Sequence, residues 1–308
     1  MALSAGQFLS PVFAPGFFQS GSVQVALVVG GVVALVSGMV GVFTVMRGQS
    51  FAGHALGSVG TTGGSAAFLL GISPLWGFMG LGVVAAAVME LVGIRRPRGR
   101  DLATGIVLGA ALGIAALCLY LDTTFKNTTG ATITILFGSM FAISASIVPL
   151  IVLFSLLSLG TVVVLYRPLL VTSVSSDMAA ALGIPVRAVG ILYLLAMAVA
   201  VSLSALTIGA ILSTALLIGP AATALRLSRR PGVAMALAGL IGVAATWLGI
   251  LLAYDSFYWP PRGHGWPVSF FVVSLIFVFY LLGNQPIGSA GRRRLAPGGD
   301  ELAAGLGQ

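Results

Sequence analysis

Three stretches of this chain carry residue types that could do chemistry. In FAGHALGSVGTTGGSAAFLLG, His54, Ser58, Thr61, Thr62 and Ser65 fall at spacings of three and four. That spacing puts them on one face of a helix. A neutral imidazole nitrogen can meet a metal cation, so His54 is a candidate metal ligand and the hydroxyls candidate walls of a hydrophilic path. The same groups could instead hydrogen-bond to neighbouring helices, and spacing alone does not choose. In VTSVSSDMAAALGIPVRAV, Ser175 or Ser176 can cap a helix N-terminus and Asp177 complements the dipole of its first turn. Met178 to Leu182 are good helix formers, Gly183 supplies a stop, and Pro185 lies just beyond. The expectation is a helix of about two turns that offers Met178, Leu182 and Ile184 to a partner, or else a plain connecting loop on the headgroups. In TIGAILSTALLIGPAATALRLSRR, Gly219-Pro220 predicts a kink, with Ser202, Ser204, Thr207, Ser213 and Thr214 as nearby polar groups. A kink at Pro220 serves gating or packing equally well.

Other chemistries lack their residues. No Gly-x-x-x-x-Gly-Lys-Ser/Thr occurs and the only lysine is Lys126, so the chain has no P-loop for ATP. No His-Glu-x-x-His or Gly-x-Ser-x-Gly occurs either, which argues against an intramembrane hydrolase. Of the acids, Glu90, Asp122 and Asp255 fall at the ends of apolar runs. A proton- or sodium-coupled carrier usually places an ionisable relay deep in the bilayer, and none is evident.

The elements that must hold these residues follow from composition. The chain has 308 residues, 58% hydrophobic and 7% charged, with mean hydropathy +1.10. Soluble domains carry roughly a quarter charged residues, so the solvent of this chain is mostly lipid. Long unbroken apolar runs argue for helices rather than the alternating segments of a barrel. The fold expected is all-α, a polytopic transmembrane bundle. The net charge of +8 lies in arginines at the ends of apolar runs, a membrane-orientation pattern that leaves no need for nucleic acid as a partner. Cys118 is the single cysteine and forms no internal disulfide.

Residues 1–21, with Pro11, Pro15 and several phenylalanines, read as an interfacial lead-in. The first 46 residues carry no charge, so the first apolar run lacks a signal peptide's basic flank and is expected to remain as a span. Spans are expected near 22–46, 49–70, 75–94, 102–121, 147–166, 188–206, 208–225, 233–253 and 268–282, with a half helix at 131–143. Gly105, Gly109 and Gly113 share one face of the fourth span, and are expected to admit a neighbouring backbone. With about nine spans, the N-terminus outside and the C-terminus inside, Arg47, Arg95–Arg100, Arg167, Arg187, Arg226–Arg230 and Arg292–Arg294 all fall in the cytoplasm. Lys126 and Arg262 fall outside, where Tyr254, Tyr258, Trp259 and Trp266 form an interfacial belt. The permease domain is then 22–283, with a cytoplasmic loop at 167–187 and a tail at 284–308 that reads as disordered.

The stretch SSDMAAALGIPVRAV…LTIGAILSTALLIGPAATA resembles the ABC-importer permeases for divalent metals, the zinc and manganese (ABC-3 type) importers. Asp177, Ala181-Leu182-Gly183-Ile184, Gly209 and Leu216–Ala224 carry the likeness, and GHALGSVGTTGG resembles that family's early Ser-His-Ala segment. The resemblance covers roughly residues 22–283. It implies a coupling helix formed by Ser176, Asp177, Met178, Ala181, Leu182, Gly183 and Ile184, docking in a groove of a separate cytoplasmic ATP-binding subunit. It implies a second permease copy, identical or not, and an extracytoplasmic metal-binding protein, in a bacterial plasma (inner) membrane. It implies a transport subunit rather than an enzyme, with no cofactor of its own and zinc or manganese as cargo. The family's segment carries an acid ahead of its His, whereas 50–54 here reads Ser-Phe-Ala-Gly-His. Hard manganese prefers oxygen ligands, so the loss of that acid weighs against manganese, or else the permease only passes the ion and leaves its selection to the binding protein. The other readings are an ABC permease for a siderophore or cobalamin, and a stand-alone secondary transporter.

Overall fold

In the computed structural model, residues 17–91, 97–126, 129–138, 140–259 and 265–284 are described. Every regular element among them is helical, as required of a chain whose backbone must satisfy itself away from water. The α-helices are α1 Gly21–Met46, α2 Ser50–Leu70, α3 Pro74–Leu91, α4 Pro97–Lys126, α5 Thr129–Phe137, α6 Val148–Val164, α7 Tyr166–Val174, α8 Ser176–Ala181, α9 Val186–Ile208, α10 Ser213–Leu227, α11 Pro231–Ser256 and α12 Val268–Gly283. Five are long and apolar enough to cross a membrane: α1, α4 over Thr104–Phe125, α6 with its 3-10 lead-in over Ala145–Val164, α9 and α11. The helices Pro74–Met89, Ser213–Leu227 and Val268–Gly283 are apolar but shorter.

α1 and α9 form the centre. α1 packs against α6, α9, α10 and α11, while α2 packs against α3, α4 and α9. Two polar links join the central pair: the Ser37 and Ser204 hydroxyls lie 2.6 Å apart, and those of Thr44 and Tyr193 lie 2.7 Å apart. Between apolar helices there is little hydrophobic gain to collect in lipid, so such hydrogen bonds and close backbone packing hold the bundle together. α4 and α6 are the least buried of the long helices and make its perimeter.

Several expectations are corrected. The loop at 167–187 is mostly helix, because α7 restarts at Tyr166 directly after α6 and runs to Val174, with α8 following at Ser176. The expected half helix at 131–143 is Thr129–Phe137, followed by a 3-10 turn at Met140–Ala142. The seventh apolar run begins as a helix at Ser213 rather than near 208. Gly209 is the reason. It holds φ +91° and faces Gly138 at φ +77°, and the amides of Ala210 and Ile211 donate to the carbonyls of Ile135 (3.1 Å) and Leu136 (3.4 Å). The break after α9 therefore caps the C-terminal carbonyls of α5, and each set of free backbone groups satisfies the other. A Cβ on Gly138 would stand 2.6 Å from the Gly209 nitrogen, so neither position has room for a side chain.

The glycine stripe of α4 also differs from expectation. A Cβ on Gly105, Gly109 or Gly113 would meet nothing within 4 Å, so no backbone among the described residues uses that face. Close approaches occur elsewhere instead: Gly63 of α2 and Gly77 of α3 press on each other's backbone, and Gly38 and Gly41 of α1 press on the backbones of Ala238 and Leu217. Residues 1–16, 92–96, 260–264 (with Arg262) and the tail from 285 lie outside the described residues. Of the lead-in, Phe17 is buried and stacks edge-on with Tyr254 at 5.2 Å, while Phe18 is exposed. Trp259 and Trp266 lie 6.5 Å apart within a group that includes Phe270 and Phe271.

Gly209→Ala is expected to destabilise the protein by about 1–3 kcal/mol, the cost of an L side chain in a disfavoured backbone region. Gly160→Ala on α6, with nothing within 4 Å, is expected to be neutral or stabilising by up to about 1 kcal/mol. Thermal unfolding in detergent, followed by tryptophan fluorescence, separates the two; equal melting temperatures would refute the role given to Gly209.

Candidate functional site

α2 begins after a tight turn in which Gly48 takes φ +64°, and it carries His54 one turn in. The ring is half-buried, and its Nδ1 lies 3.0 Å from Oγ1 of Thr214 in the first turn of α10. This contact depends on the break at Gly209, since it is the restart of α10 that sets Ser213 and Thr214 beside α2. One turn further, a Cβ on Gly57 would lie 3.1 Å from Val201 and 3.2 Å from the Ser213 hydroxyl. Gly53 packs toward Met197 and Leu217. His54 therefore sits at the level of Met197 to Val201, the middle of α9.

The other polar residues of α2 are placed differently. Ser58, Thr61, Thr62 and Ser65 are all buried. Their hydroxyls donate to the carbonyls one turn back, at His54 (3.2 Å), Gly57 (2.9 Å), Ser58 (3.4 Å) and Thr61 (2.8 Å). Thr62 also donates to the Ala111 carbonyl of α4 at 2.7 Å. Local back-bonding of this kind satisfies a hydroxyl in lipid without another chain segment. The structure thus brings His54 to Thr214, points Thr62 at α4, and leaves Ser58, Thr61 and Ser65 bonded to α2 itself. Pro220 is buried inside α10, less than two turns beyond Thr214. Among the described residues, no three His, Cys, Asp or Glu side chains gather around one point. Two surface grooves, of about 460 and 410 Å³, lie away from α2. What His54 and Thr214 offer a cation is one ring nitrogen and one neutral oxygen.

The second site is α8. Ser175, rather than Ser176, caps it: the Ser175 hydroxyl accepts from the Met178 amide at 3.2 Å, and Asp177 lies exposed in the first turn. At the other end the Gly183 amide donates to Ala180 (3.0 Å) and the Ile184 amide to Ala179 (3.0 Å), with Gly183 at φ +76°. That pair of bonds is a Schellman motif. Ala179 is fully buried, whereas Met178, Ala181 and Leu182 face outward, Leu182 at 66% exposure. Ile184 was expected to be exposed too; it is half-buried and packs on the main core, because the Schellman turn folds it back beneath the helix.

A feature absent from the sequence reading supports this helix. Arg47, at the end of α1, donates to Thr172 of α7 at 2.8 Å, and its guanidinium lies 5.4 Å from the centre of the Tyr193 ring on α9. Leu169 anchors α7 in the core. The only sequence signal was that Arg47 is the first charge in the chain.

The model of the ABC 3 transport family matches residues 19–282. The chain belongs to the ABC 3 transport family. The matched region runs from the turn ahead of α1 to the penultimate residue of α12, so both sites lie within it. The manganese transport system membrane protein MntC of Listeria innocua is 31% identical over 246 residues, 79% of this chain and 85% of that one. The high-affinity zinc uptake system membrane protein ZnuB of Haemophilus influenzae is 27% identical over 75% of this chain and 88% of its own length. Among solved structures, PsaBC from Streptococcus pneumoniae in complex with Fab superposes with TM-score 0.74 at 26% identity, covering 87% of this chain and 92% of that one. An inward-facing metal-chelate type transporter, at TM-score 0.68 and 14% identity over 92% of this chain and 89% of its own, shares the fold.

In this family member the caps of α8 can be tested locally. Ser175→Ala is expected to cost the helix about 1 kcal/mol, seen as faster hydrogen exchange at the Met178 amide by about fivefold. Unchanged exchange at Met178 would mean that the cap does not hold the turn.

Proposed function

We propose that the chain is the membrane-spanning permease subunit of an ATP-driven importer of a divalent metal ion, zinc or manganese. The observation that carries this reading is α8: a two-turn helix, capped at both ends, with exposed apolar side chains on a chain that has no nucleotide-binding motif of its own. The manganese and zinc transport membrane proteins among its relatives support the cargo class.

In this reading nine helices cross the bilayer: α1, α2, α3, α4, α6, α9, α10, α11 and α12, with α5 as the half helix. The N-terminus is outside and the C-terminus inside, which gathers Arg47, Arg167, Arg187, Arg226, Arg229 and Arg230 on the cytoplasmic side with α8. Residues 1–21 lie at the outer interface, 22–283 make the permease, and 284–308 trail in the cytoplasm of a bacterial inner-membrane protein. Asp177, Met178, Ala181 and Leu182 dock in a separate ATP-binding subunit, with Ser176, Gly183 and Ile184 shaping the helix. A second permease copy completes the path, and an extracytoplasmic metal-binding protein delivers the ion. ATP hydrolysis belongs to the partner, and the metal is substrate.

Closure of the ATP-binding subunits would move α8 and the flanking α7 and α9. Arg47 links both of those helices to the end of α1, and α1 leads through a short turn into α2 and His54. The displacement would reach the contact between His54 and Thr214 and the helix containing Pro220, with Ser58, Thr61, Thr62 and Ser65 lining the path as α2 shifts. A ring nitrogen with neutral oxygens holds a divalent ion weakly compared with a carboxylate cluster, which suits passage over storage.

Co-expression with its ATP-binding subunit and reconstitution in vesicles tests this. Leu182→Asp is expected to insert normally but to weaken docking by roughly 2 kcal/mol, about thirtyfold, with loss of ATP-driven zinc or manganese uptake. His54→Ala is expected to keep docking and lower uptake. Full coupling in Leu182→Asp would refute the docking role of α8, and unchanged flux in His54→Ala would return His54 to packing.

A further inference from the structure

At one end of the bundle, α10, α11 and α12 leave an open groove of about 460 Å³ between them, within the roughly 300–1,000 Å³ that suits a small-molecule guest. Its walls are Thr223 and Leu227 of α10, Leu240 and Ala244 of α11, and Phe279 and Leu282 of α12. Thr223 is the one hydroxyl there, and it donates to its own helix at Gly219 (2.8 Å), so the walls make no demand for water. From Pro231, where α11 starts, Ala244 lies roughly 20 Å along the helix axis at 1.5 Å per residue. The lining covers about one turn of each helix, and its innermost α11 residue lies within the reach of one leaflet of a bilayer whose apolar core is roughly 30 Å thick.

Three arginines stand at the end where the groove begins. Arg226 is in the last turn of α10, and Arg229 and Arg230 lie in the link to α11; all three are exposed. Arg226 is held in place: it donates to the Tyr280 hydroxyl at 2.9 Å, and its guanidinium lies 4.9 Å from the centre of the Tyr280 ring. No acidic residue occurs from 178 to 254, and the one carboxylate of these helices, Asp255, stands at the opposite end of α11, too far to neutralise the cluster. A dry slot lying within one leaflet, with the Arg226 guanidinium held beside it and two further arginines in the adjoining link, matches a molecule with an apolar tail and an anionic head. Guanidinium groups suit phosphate oxygens through paired hydrogen bonds, and basic pockets between membrane helices bind anionic headgroups.

We propose that this groove is a binding site for one anionic glycerophospholipid, its acyl chain between α10, α11 and α12 and its phosphate at Arg226, Arg229 and Arg230. The site is independent of the transported ion and of α8.

Native mass spectrometry of the full-length protein in detergent, titrated separately with dioleoylphosphatidylglycerol and dioleoylphosphatidylcholine, tests it. Retention of one phosphatidylglycerol per chain in preference to phosphatidylcholine is expected. The variant R229Q/R230Q, changed only at exposed positions, is expected to lose about fivefold in that preference for each arginine. Ala244→Trp, which fills the slot and leaves the charges, is expected to lower phosphatidylglycerol retention, and inorganic phosphate is expected not to displace the lipid. Equal retention of the two lipids, unchanged preference in R229Q/R230Q, unchanged retention in Ala244→Trp, or displacement by inorganic phosphate would each overturn the assignment.

Discussion

The structure depends on one constraint: in the apolar layer no water is available to pair a backbone amide or carbonyl, and each unpaired group costs several kcal/mol. Helices meet the constraint along their length but not at their ends. The ends are where this chain shows its design. Between α9 and α10 the helix is interrupted at Gly209, and the freed amides of Ala210 and Ile211 go to the carbonyls left open at the end of α5. A half helix and a broken helix, each incomplete alone, complete each other. That junction in turn fixes where α10 restarts, and so which hydroxyl meets His54.

The same constraint explains the buried hydroxyls. Ser58, Thr61, Thr62 and Ser65 look in sequence like the wall of a wet path, yet Ser58, Thr61 and Ser65 return their protons to carbonyls of α2 and Thr62 gives its own chiefly to the Ala111 carbonyl of α4. A hydroxyl has one proton to donate and lone pairs to spare, so back-bonding leaves its acceptor capacity open. These residues can pack against an apolar neighbour in one arrangement and offer oxygens to a passing cation in another. An ionised carboxylate at the same place would carry a large desolvation cost in every arrangement where it went unpaired. A pathway of neutral hydroxyls with one imidazole is thus compatible with a bundle that opens and closes.

Much of the fold was legible from the sequence because lipid imposes a simple rule on composition. The long apolar runs and their arginine ends became α1, α4, α9 and α11 with small shifts of boundary. The caps of α8 were legible for a related reason: Ser175, Asp177 and Gly183 act on their own backbone and need no distant partner. What was not legible depended on tertiary contact. Pro168 has no amide for the Val164 carbonyl and so ends α6 there, but that the chain resumes at once as α7 rests on the core position of Leu169 and the bond from Arg47 to Thr172. The glycines of α4 were read as a packing face because spacing reports a shared face and not what lies opposite it. Here Gly63 and Gly77, and likewise Gly41 against Leu217, make close approaches, and the α4 stripe meets nothing among the described residues. The pairing of His54 with Thr214 joins residues 160 positions apart, and no local pattern could have encoded it.

A two-turn helix is too short to be stable by itself, since nucleation is costly and isolated helices of this length are marginal in water. That α8 is nonetheless formed means that its surroundings hold it: the Ser175 cap, the Schellman bonds at Gly183, the burial of Ala179 and the folding back of Ile184. All of these act on the inner side of the helix and leave Met178 and Leu182 outside. Its flanking helices are held too, through the contacts of Arg47 with Thr172 and Tyr193. Under the docking role proposed for α8, support of this kind would let a force applied to Met178 and Leu182 move α7 and α9 with the end of α1, instead of being lost in the bending of a loop.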